Sequence, residues 1–249
     1  MRAILTYHSL DTSGSVISVD PAVFVRQMEW LARSSVRVVT LADLMTASAH
    51  EHVVALTFDD GFRNFADVAA PVLTANGFPA TVFVVSDRVG ATNRWGSATD
   101  RGIPELPLLD WKSLHDLASA GFTLGAHTRS HPRLNRIDPS RLADEIVGSA
   151  EVIRANIGCV ATEFAYPYGA TTAQAAAVAR SAFRFGCTTE LRMARPTDDP
   201  LLLPRIEMYY FRSDTSLDAW VAPGFPYRLG LRSFARRVRG GVLSFAGDS

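Results

Sequence analysis

The stretch VVALTFDDG at residues 53–61 decides the fold class. Its apolar part, residues 53–58, predicts a strand that ends abruptly at two carboxylates and a glycine. Residues 62–75 then predict a helix that stops at an Asn-Gly pair, and residues 80–85 predict a second apolar strand. A strand, a helix and a strand in this order indicate parallel neighbours in one sheet, which is the α/β class.

The same alternation extends in both directions from this unit. It predicts seven or eight strand–helix units, which form a complete or incomplete (β/α) barrel in a single domain. Catalytic groups of such barrels lie at the carboxyl ends of the strands, and Asp59 and His127 fall at such ends. The other predicted strands cover residues 3–7, 36–39, 122–126, 163–166, 185–188 and 201–208, and the other helices cover residues 21–33, 41–45, 111–120, 139–156 and 171–183.

Composition limits the classes of function. The 249 residues are 47% apolar and 20% charged, which is typical of a globular protein and excludes a disordered chain. The 25 basic and 25 acidic side chains cancel, so we expect no nucleic-acid partner. The two cysteines form no C-x-x-C pair and predict no disulfide framework.

The C-terminal segment differs from the rest in charge. Residues 228–249 hold five arginines and one acidic residue, so we predict a main domain over residues 1–227 and a separate basic segment after it. Residues 228–239 place apolar and arginine side chains on different faces of a helix, which is compatible with peripheral membrane contact or with packing on the barrel. Residues 1–10 lack the features of a signal peptide, which predicts a cytoplasmic protein, membrane-peripheral if the segment binds lipid.

Two motifs contain candidate metal ligands. Asp59 and Asp60 follow one predicted strand, and His127 and His131 follow another. The i, i+4 spacing brings both imidazoles to one face if a helical turn follows the strand. Two imidazoles and one carboxylate can hold a transition metal with positions left open, and the second carboxylate can accept a proton. Taken separately, an Asx turn and two unrelated histidines explain the same residues.

A third motif, FAYPYG, occupies residues 164–169. Its proline and glycine fix a rigid turn, in which an amide N–H can face an oxyanion; a plain turn is the simpler explanation. Together, residues 57–61, 127–131 and 166–169 resemble the motifs of the polysaccharide deacetylase family, metal-dependent carbohydrate esterases that include the nodulation-type chitooligosaccharide deacetylases. The resemblance spans residues 1–210 and implies a distorted (β/α)7 barrel that hydrolyses an acetyl group from a sugar or glycan.

The resemblance also implies roles for individual residues. Asp60, His127 and His131 match the metal ligands, and Asp59 matches the catalytic base. Tyr168 matches the position whose backbone N–H holds the tetrahedral oxyanion. Zinc is the expected metal, and nickel or cobalt can replace it in relatives.

Two catalytic residues of the family pattern are missing from their usual positions, so other residues must take their roles. The family's third motif commonly contains an arginine that orients the base, and this position is Ala165. Arg205 is a candidate replacement, with a salt bridge at the rim of the barrel as the alternative. No histidine follows His131, whereas many relatives take their catalytic acid from a late histidine. His8 in LTYHSL resembles the early histidine of the permuted poly-N-acetylglucosamine deacetylases, which assigns it as the general acid; a purely structural hydrogen bond is the alternative.

Other functions fit parts of the pattern. A catalytically silent carbohydrate-binding barrel is disfavoured, because the ligands and the base are all present. A metal amidohydrolase that acts on a non-sugar amide stays open, since the motifs describe the metal chemistry and not the pocket. A biosynthetic step on an intracellular sugar, including a lipid-linked one, fits the expected location, and the long loop at residues 86–110 with Arg94 and Trp95 is a candidate for substrate selection.

Overall fold

Parallel strands in a curled sheet form the centre of the computed structural model, which describes residues 1–48, 50–95 and 102–213 together with residues 225, 229 and 230. The strands are β1 Arg2–Tyr7, β2 Ser9–Leu10, β3 Ser18–Val19, β4 Arg37–Val38, β5 Val53–Phe58, β6 Ala80–Val84, β7 Thr123–Ala126, β8 Glu163–Ala165, β9 Phe185–Cys187 and β10 Ile206–Glu207. The α-helices are α1 Pro21–Arg33, α2 Leu41–Thr46, α3 Ala70–Ala75, α4 Trp111–Ser119, α5 Leu142–Ile157 and α6 Ala173–Ala182. None of the helices in these ranges has the length and apolarity that a bilayer span requires.

The strand order confirms the predicted distorted (β/α)7 barrel. Seven strands follow the order β10-β1-β5-β6-β7-β8-β9, all pairs are parallel, and β4 pairs with the start of β5. The two edges of this sheet are linked by the segment before β10. Leu203 bridges Cys187 of β9, and Ile206 pairs with Leu5 of β1. The carboxyl ends of β1, β5 and β7 therefore lie at the same end of the barrel.

Alternation along the strands separates two apolar clusters. Leu5 and Val54 pack with helix residues such as Phe24, which places them on the outer face of the sheet. Ile4 and Ala55 belong to a second cluster and face the interior, because neighbouring side chains in a strand point in opposite directions. In β5 the side chains of residues 55 and 57 point into the barrel. The side chain of residue 59, two positions further on, therefore also points into the barrel.

Two expectations about single elements are wrong. Residues 62–75 do not form one α-helix, since a π-helical turn, Phe65–Ala69, precedes α3. Pro71 has no N–H to donate to the turn before it, which interrupts the regular α-helical bonds. The strand predicted over residues 201–208 is limited to Ile206–Glu207. Pro204 cannot donate a ladder bond, and there the segment changes its partner from β9 to β1.

The basic segment at residues 228–249 lies outside the residues that the structure describes, apart from residues 229 and 230. The division into residues 1–227 and 228–249 therefore stays a prediction.

Candidate active site

Asp59 and Asp60 lie at the carboxyl end of β5 and point in different directions. The backbone turns sharply after the strand, because Asp60 (φ 72°) and Gly61 (φ 71°) both adopt the left-handed conformation. Asp and Gly are among the residues that tolerate this conformation best. Asp59 consequently remains directed into the barrel, while Asp60 faces the two histidines after β7.

His127 and His131 converge, but not through the helical turn expected from their spacing. The chain after β7 forms a tight loop, in which Thr128 (φ 65°) and His131 (φ 64°) are left-handed and the His131 N–H donates to Thr128 Oγ1 at 3.0 Å. His127 Nε2 lies 3.4 Å from Asp60 Oδ1, and His131 Nε2 lies 3.2 Å from the same oxygen. The expected grouping is present, and a loop rather than a helix produces it.

Hydrogen bonds on the far side of each ring orient the two imidazoles. His127 Nδ1 lies 2.7 Å from the carbonyl oxygen of Ala165 and donates to it, which orients the ring so that Nε2 faces Asp60. His131 Nδ1 lies 3.2 Å from the hydroxyl of Tyr168. Burial lowers the pKa of His131 and so favours the neutral, ligating form. Such outer contacts are typical of histidines that bind metals.

The three groups fit a divalent transition metal. One ligand atom from each of Asp60, His127 and His131 lies within 4.8 Å of the others, and all three residues are buried. Asp60 Oδ1 is buried without a hydrogen-bond partner among the described residues, although the two imidazole nitrogens face it. Burial opposes ionisation of Asp60, but the neighbouring imidazoles hold the pKa of its carboxyl well below the ordinary value. An ionised carboxylate and two imidazoles form a donor set that suits zinc.

Arg205 forms a buried pair with Asp59. Its Nη1 and Nη2 lie 2.6 Å from Asp59 Oδ1 and Oδ2, and its Nε donates to the carbonyl oxygen of Thr188 at 2.9 Å. The side chains of Arg205 and Asp59 are only 2% and 3% exposed, so the pair lies inside the barrel and not at its rim. Burial alone would raise the pKa of Asp59, but the Arg205 guanidinium holds it below the ordinary value.

His8 follows β1 and lies between two carboxylates. Its Nε2 lies 3.8 Å from Asp59 Oδ2, and its Nδ1 lies 3.4 Å from Glu207 Oε2. Burial opposes the charged imidazolium, but the carboxylate of Glu207 more than offsets this and, with Asp59 and Asp60, raises the pKa of His8 to about 9. His8 is therefore protonated at neutral pH and can donate a proton.

Glu207 is a site residue that none of the sequence motifs contains. It lies in β10 opposite Thr6 of β1, two residues before His8. The sequence does contain a signal for Glu207. Arg205 and Glu207 are two residues apart in a segment predicted as a strand, so their side chains share one face.

Tyr168 and Trp95 lie against His131. Tyr168 is left-handed (φ 59°) in the turn Pro167–Gly169 after β8, and its ring centroid lies 4.7 Å from that of His131. The Trp95 ring lies 4.4 Å from the same imidazole, and Arg133 stacks over Tyr168 at 4.0 Å. Arg94 lies nearby and pairs with Glu105 at 2.8 Å. The predicted substrate-selecting residues of the long loop therefore line the site.

Apart from Arg205, which lies behind Asp59, these groups line one pocket of about 670 Å³. This size lies within the range of sites for small ligands. Besides the histidines and aspartates, the lining contains aromatic and apolar side chains and a set of polar ones. The aromatic and apolar residues are Val16, Ile17, Trp95, Ile103, Pro104, Tyr168, Tyr209 and Tyr210, and the polar ones are Asn93, Arg94, Glu105, Arg133, Thr189 and Glu207.

Comparisons with known proteins agree with this arrangement. The polysaccharide deacetylase family profile matches residues 46–183, which is more than half of the chain. The chain belongs to the polysaccharide deacetylase family and is a hydrolase of the carbohydrate deacetylase type, as its three motifs predict. A relative from Staphylococcus epidermidis, poly-β-1,6-N-acetyl-D-glucosamine N-deacetylase, is 24% identical over 217 residues, which cover 82% of this chain and 72% of the relative.

Solved structures share the fold. The Streptococcus pyogenes deacetylase PplD superimposes with a TM-score of 0.71 at 24% identity, covering 82% of this chain and 91% of that one. IcaB from Ammonifex degensii gives a TM-score of 0.69 at 24% identity, with 86% and 96% covered. Both similarities support the barrel architecture.

Proposed function

We propose that this protein hydrolyses an N-acetyl group from a sugar within a glycan, with a divalent metal held by Asp60, His127 and His131. The observation that carries this proposal is the convergence of two oriented Nε2 atoms on Asp60 Oδ1, with Asp59 and His8 3.8 Å apart beside them. When bound there, the metal supplies Lewis-acid stabilisation of negative charge on the acetyl oxygen and lowers the pKa of water. The donor set favours zinc, and nickel or cobalt are alternatives.

Asp59 acts as the general base. Both of its oxygens are held by Arg205, which keeps the carboxylate ionised and fixes its orientation. It can accept the proton of the attacking water as that water adds to the acetyl carbonyl. Arg205 thereby takes the place that the family commonly fills from the position of Ala165.

His8 acts as the general acid. Its pKa of about 9 keeps it charged at neutral pH, and its Nε2 lies 3.8 Å from Oδ2 of the base. An amine leaves poorly unless its nitrogen is protonated, so proton donation by His8 completes cleavage of the amide. The backbone N–H of Tyr168 is proposed to donate to the oxyanion, since its turn follows β8 beside His131.

The substrate class follows from the pocket and from the relatives. Aromatic walls suit the apolar faces of sugar rings, and the relative from Staphylococcus epidermidis is named for an N-acetylglucosamine polymer. We therefore favour a glycan over a non-sugar amide. A lipid-linked substrate, membrane contact through residues 228–239 and a cytoplasmic location stay predictions of the sequence.

Acetate release tests this function. The zinc-loaded protein is incubated with β-1,6-linked N-acetylglucosamine oligomers, and acetate is measured for the wild type, for Asp59→Asn and for Asp116→Asn. Asp116 is an exposed carboxylate paired with Lys112 and serves as the matched control. We expect release by the wild type and the control and its loss in Asp59→Asn. Equal release by Asp59→Asn would contradict the assigned base, and no release by the zinc-loaded wild type would favour a silent binding barrel.

A further inference from the structure

A buried carboxylate outside the pocket is bonded to the loop that contains the two histidines. Glu145 lies in the first turn of α5 and is 2% exposed. Its Oε2 accepts the backbone N–H groups of Arg129 at 3.1 Å and Ser130 at 3.0 Å, and the Arg129 N–H is shared with the main-chain carbonyl oxygen of Glu145, also at 3.1 Å. Its Oε1 accepts the Ser130 hydroxyl at 2.6 Å and Arg141 Nη2 at 3.1 Å. Arg129 and Ser130, which lie between the two histidines in the chain, donate three of these four bonds.

This loop cannot hold its shape by local bonds alone. Thr128 and His131 both adopt the left-handed conformation, which is unfavourable for residues with a side chain and persists only when the surroundings enforce it. The carbonyl groups of Thr128 and Arg129 accept bonds from the N–H groups of Ser86 (3.2 Å) and Asp87 (2.9 Å) after β6. The opposite N–H side of the loop is held by Glu145. The loop is thus fixed from two directions. Among the described residues, Glu145 is the only carboxylate that accepts bonds from the backbone N–H groups of this loop.

We propose that Glu145 is a positioning residue that fixes His131 relative to His127 and thereby sets the affinity of the metal site. This inference rests on the proposed function, because it takes Asp60, His127 and His131 as the ligands. Glu145 contacts none of these three side chains in the described structure and acts through the backbone of residues 129 and 130.

A carboxylate can accept all four of these donors at once. A glutamine at position 145 offers one acceptor oxygen, so its NH2 group faces either the two backbone N–H groups or Arg141 and the Ser130 hydroxyl, of which only the hydroxyl can turn to accept. Arg141, one helical turn away, donates from Nη2 to Glu145 Oε1 at 3.1 Å and extends this set of bonds to the start of the helix. Glu145→Gln therefore removes at least one of the four bonds, and at most both backbone N–H bonds to the loop, with little change in side-chain volume.

Zinc affinity of the full chain tests the inference. The dissociation constant is measured by competition with a chromophoric chelator for the wild type, Glu145→Gln, Ser130→Ala and Asp144→Asn. Loss of an outer contact to a metal-binding histidine typically weakens binding on the order of tenfold to hundredfold, and we expect this for Glu145→Gln. Ser130→Ala removes one of the bonds and should lose less. Asp144→Asn is the matched control, since Asp144 is exposed and binds only the Arg129 side chain in the same loop.

Amide hydrogen exchange on the metal-free protein adds a readout that does not depend on zinc. We expect faster exchange at residue 130 in Glu145→Gln, and unchanged exchange in Asp144→Asn; residue 129 is a weaker readout, because its N–H also donates to the main-chain carbonyl oxygen of Glu145. If the wild type binds zinc and both Glu145→Gln and Ser130→Ala bind it equally well, the inference is wrong and the proposed function stands. If Glu145→Gln does not fold, the zinc affinity of Ser130→Ala alone tests the inference, and an affinity equal to that of the wild type would show that it is wrong. A wild type that binds no divalent metal would overturn the proposed metal site, and this inference with it.

Discussion

Arg205 Nη1 and Nη2 each lie 2.6 Å from an oxygen of Asp59, in a pair that joins the carboxyl end of β5 to the segment before β10. That segment also links the two edges of the sheet. Closure of the barrel, through Leu203 and Ile206, and orientation of the proposed base, through Arg205, therefore depend on the same short segment. In the proposed mechanism, Arg205 takes the role that an arginine at position 165 would have.

The first prediction concerns this pair. Arg205→Lys keeps the positive charge but loses the two parallel bonds, so Asp59 is no longer fixed. We expect kcat to fall roughly tenfold to hundredfold with a small change in KM, because a general base contributes about that much or more. Arg180→Lys, at an exposed pair with Asp199, is the control. Unchanged kcat in Arg205→Lys would show that the pair has no part in catalysis.

The second prediction separates the acid from the base. In His8→Asn the leaving nitrogen is no longer protonated, whereas the leaving group of 4-nitrophenyl acetate needs no proton. We expect a loss on the order of 10²–10⁴ for the amide substrate and a much smaller loss for the ester. The two substrates are compared by initial rates at pH 7. Equal losses on both would assign His8 to binding rather than to proton donation.

The third prediction concerns the pH profile. The pKa of His8 is raised to about 9, mainly by the Glu207 carboxylate acting against burial, and the acid must be protonated to function. Activity on the amide should therefore decline as the pH rises through about 9. Glu207→Gln removes the charge that stabilises the imidazolium, so this alkaline limb should move to lower pH. Glu29→Gln, in an exposed pair with Arg33, should leave the profile in place. An unmoved limb in Glu207→Gln would exclude His8 as the titrating group.

The fourth prediction concerns stability. Burial raises the pKa of Glu163 to about 6, and the bond from Thr81 Oγ1 at 2.6 Å only partly offsets it. The folded state thus binds this proton more tightly than the unfolded state, so stability falls as the pH rises from about 4.5 to 6. The shift corresponds to a cost of about 2 kcal/mol above pH 6.

Replacing this carboxyl by an amide removes that cost. We expect Glu163→Gln to raise the melting temperature at pH 7.5 and to lose this advantage near pH 4, with the exposed Glu151→Gln as the control. A melting temperature that is unchanged at both pH values would mean that folding does not raise the pKa of Glu163.

Local signals in the sequence predicted much of the fold. The bounds of β5 and α1 agree with prediction, because the apolar run ends at Asp59 and because Asp20 caps a helix that starts with Pro21. The structure also brings together Asp60, His127 and His131, since each follows a strand of the same parallel sheet.

Contacts between distant segments could not be predicted in this way. Glu145 lies in an ordinary helix, and only the packing of α5 against the histidine loop gives it three bonds there. Arg205 could equally have formed a surface pair, because its partner is 146 residues away in the chain. The left-handed conformation of Thr128, a residue that rarely adopts it, has no local signal at all.

A zinc titration of acetate release tests the central claim most directly. Protein stripped of metal is given increasing zinc, and the initial rate on the N-acetylglucosamine oligomer is measured for the wild type and for Asp60→Asn. We predict that the wild-type rate rises linearly and breaks at one zinc per chain, whereas Asp60→Asn stays inactive over the same range. Full activity of the stripped wild type in the presence of chelator would contradict the account.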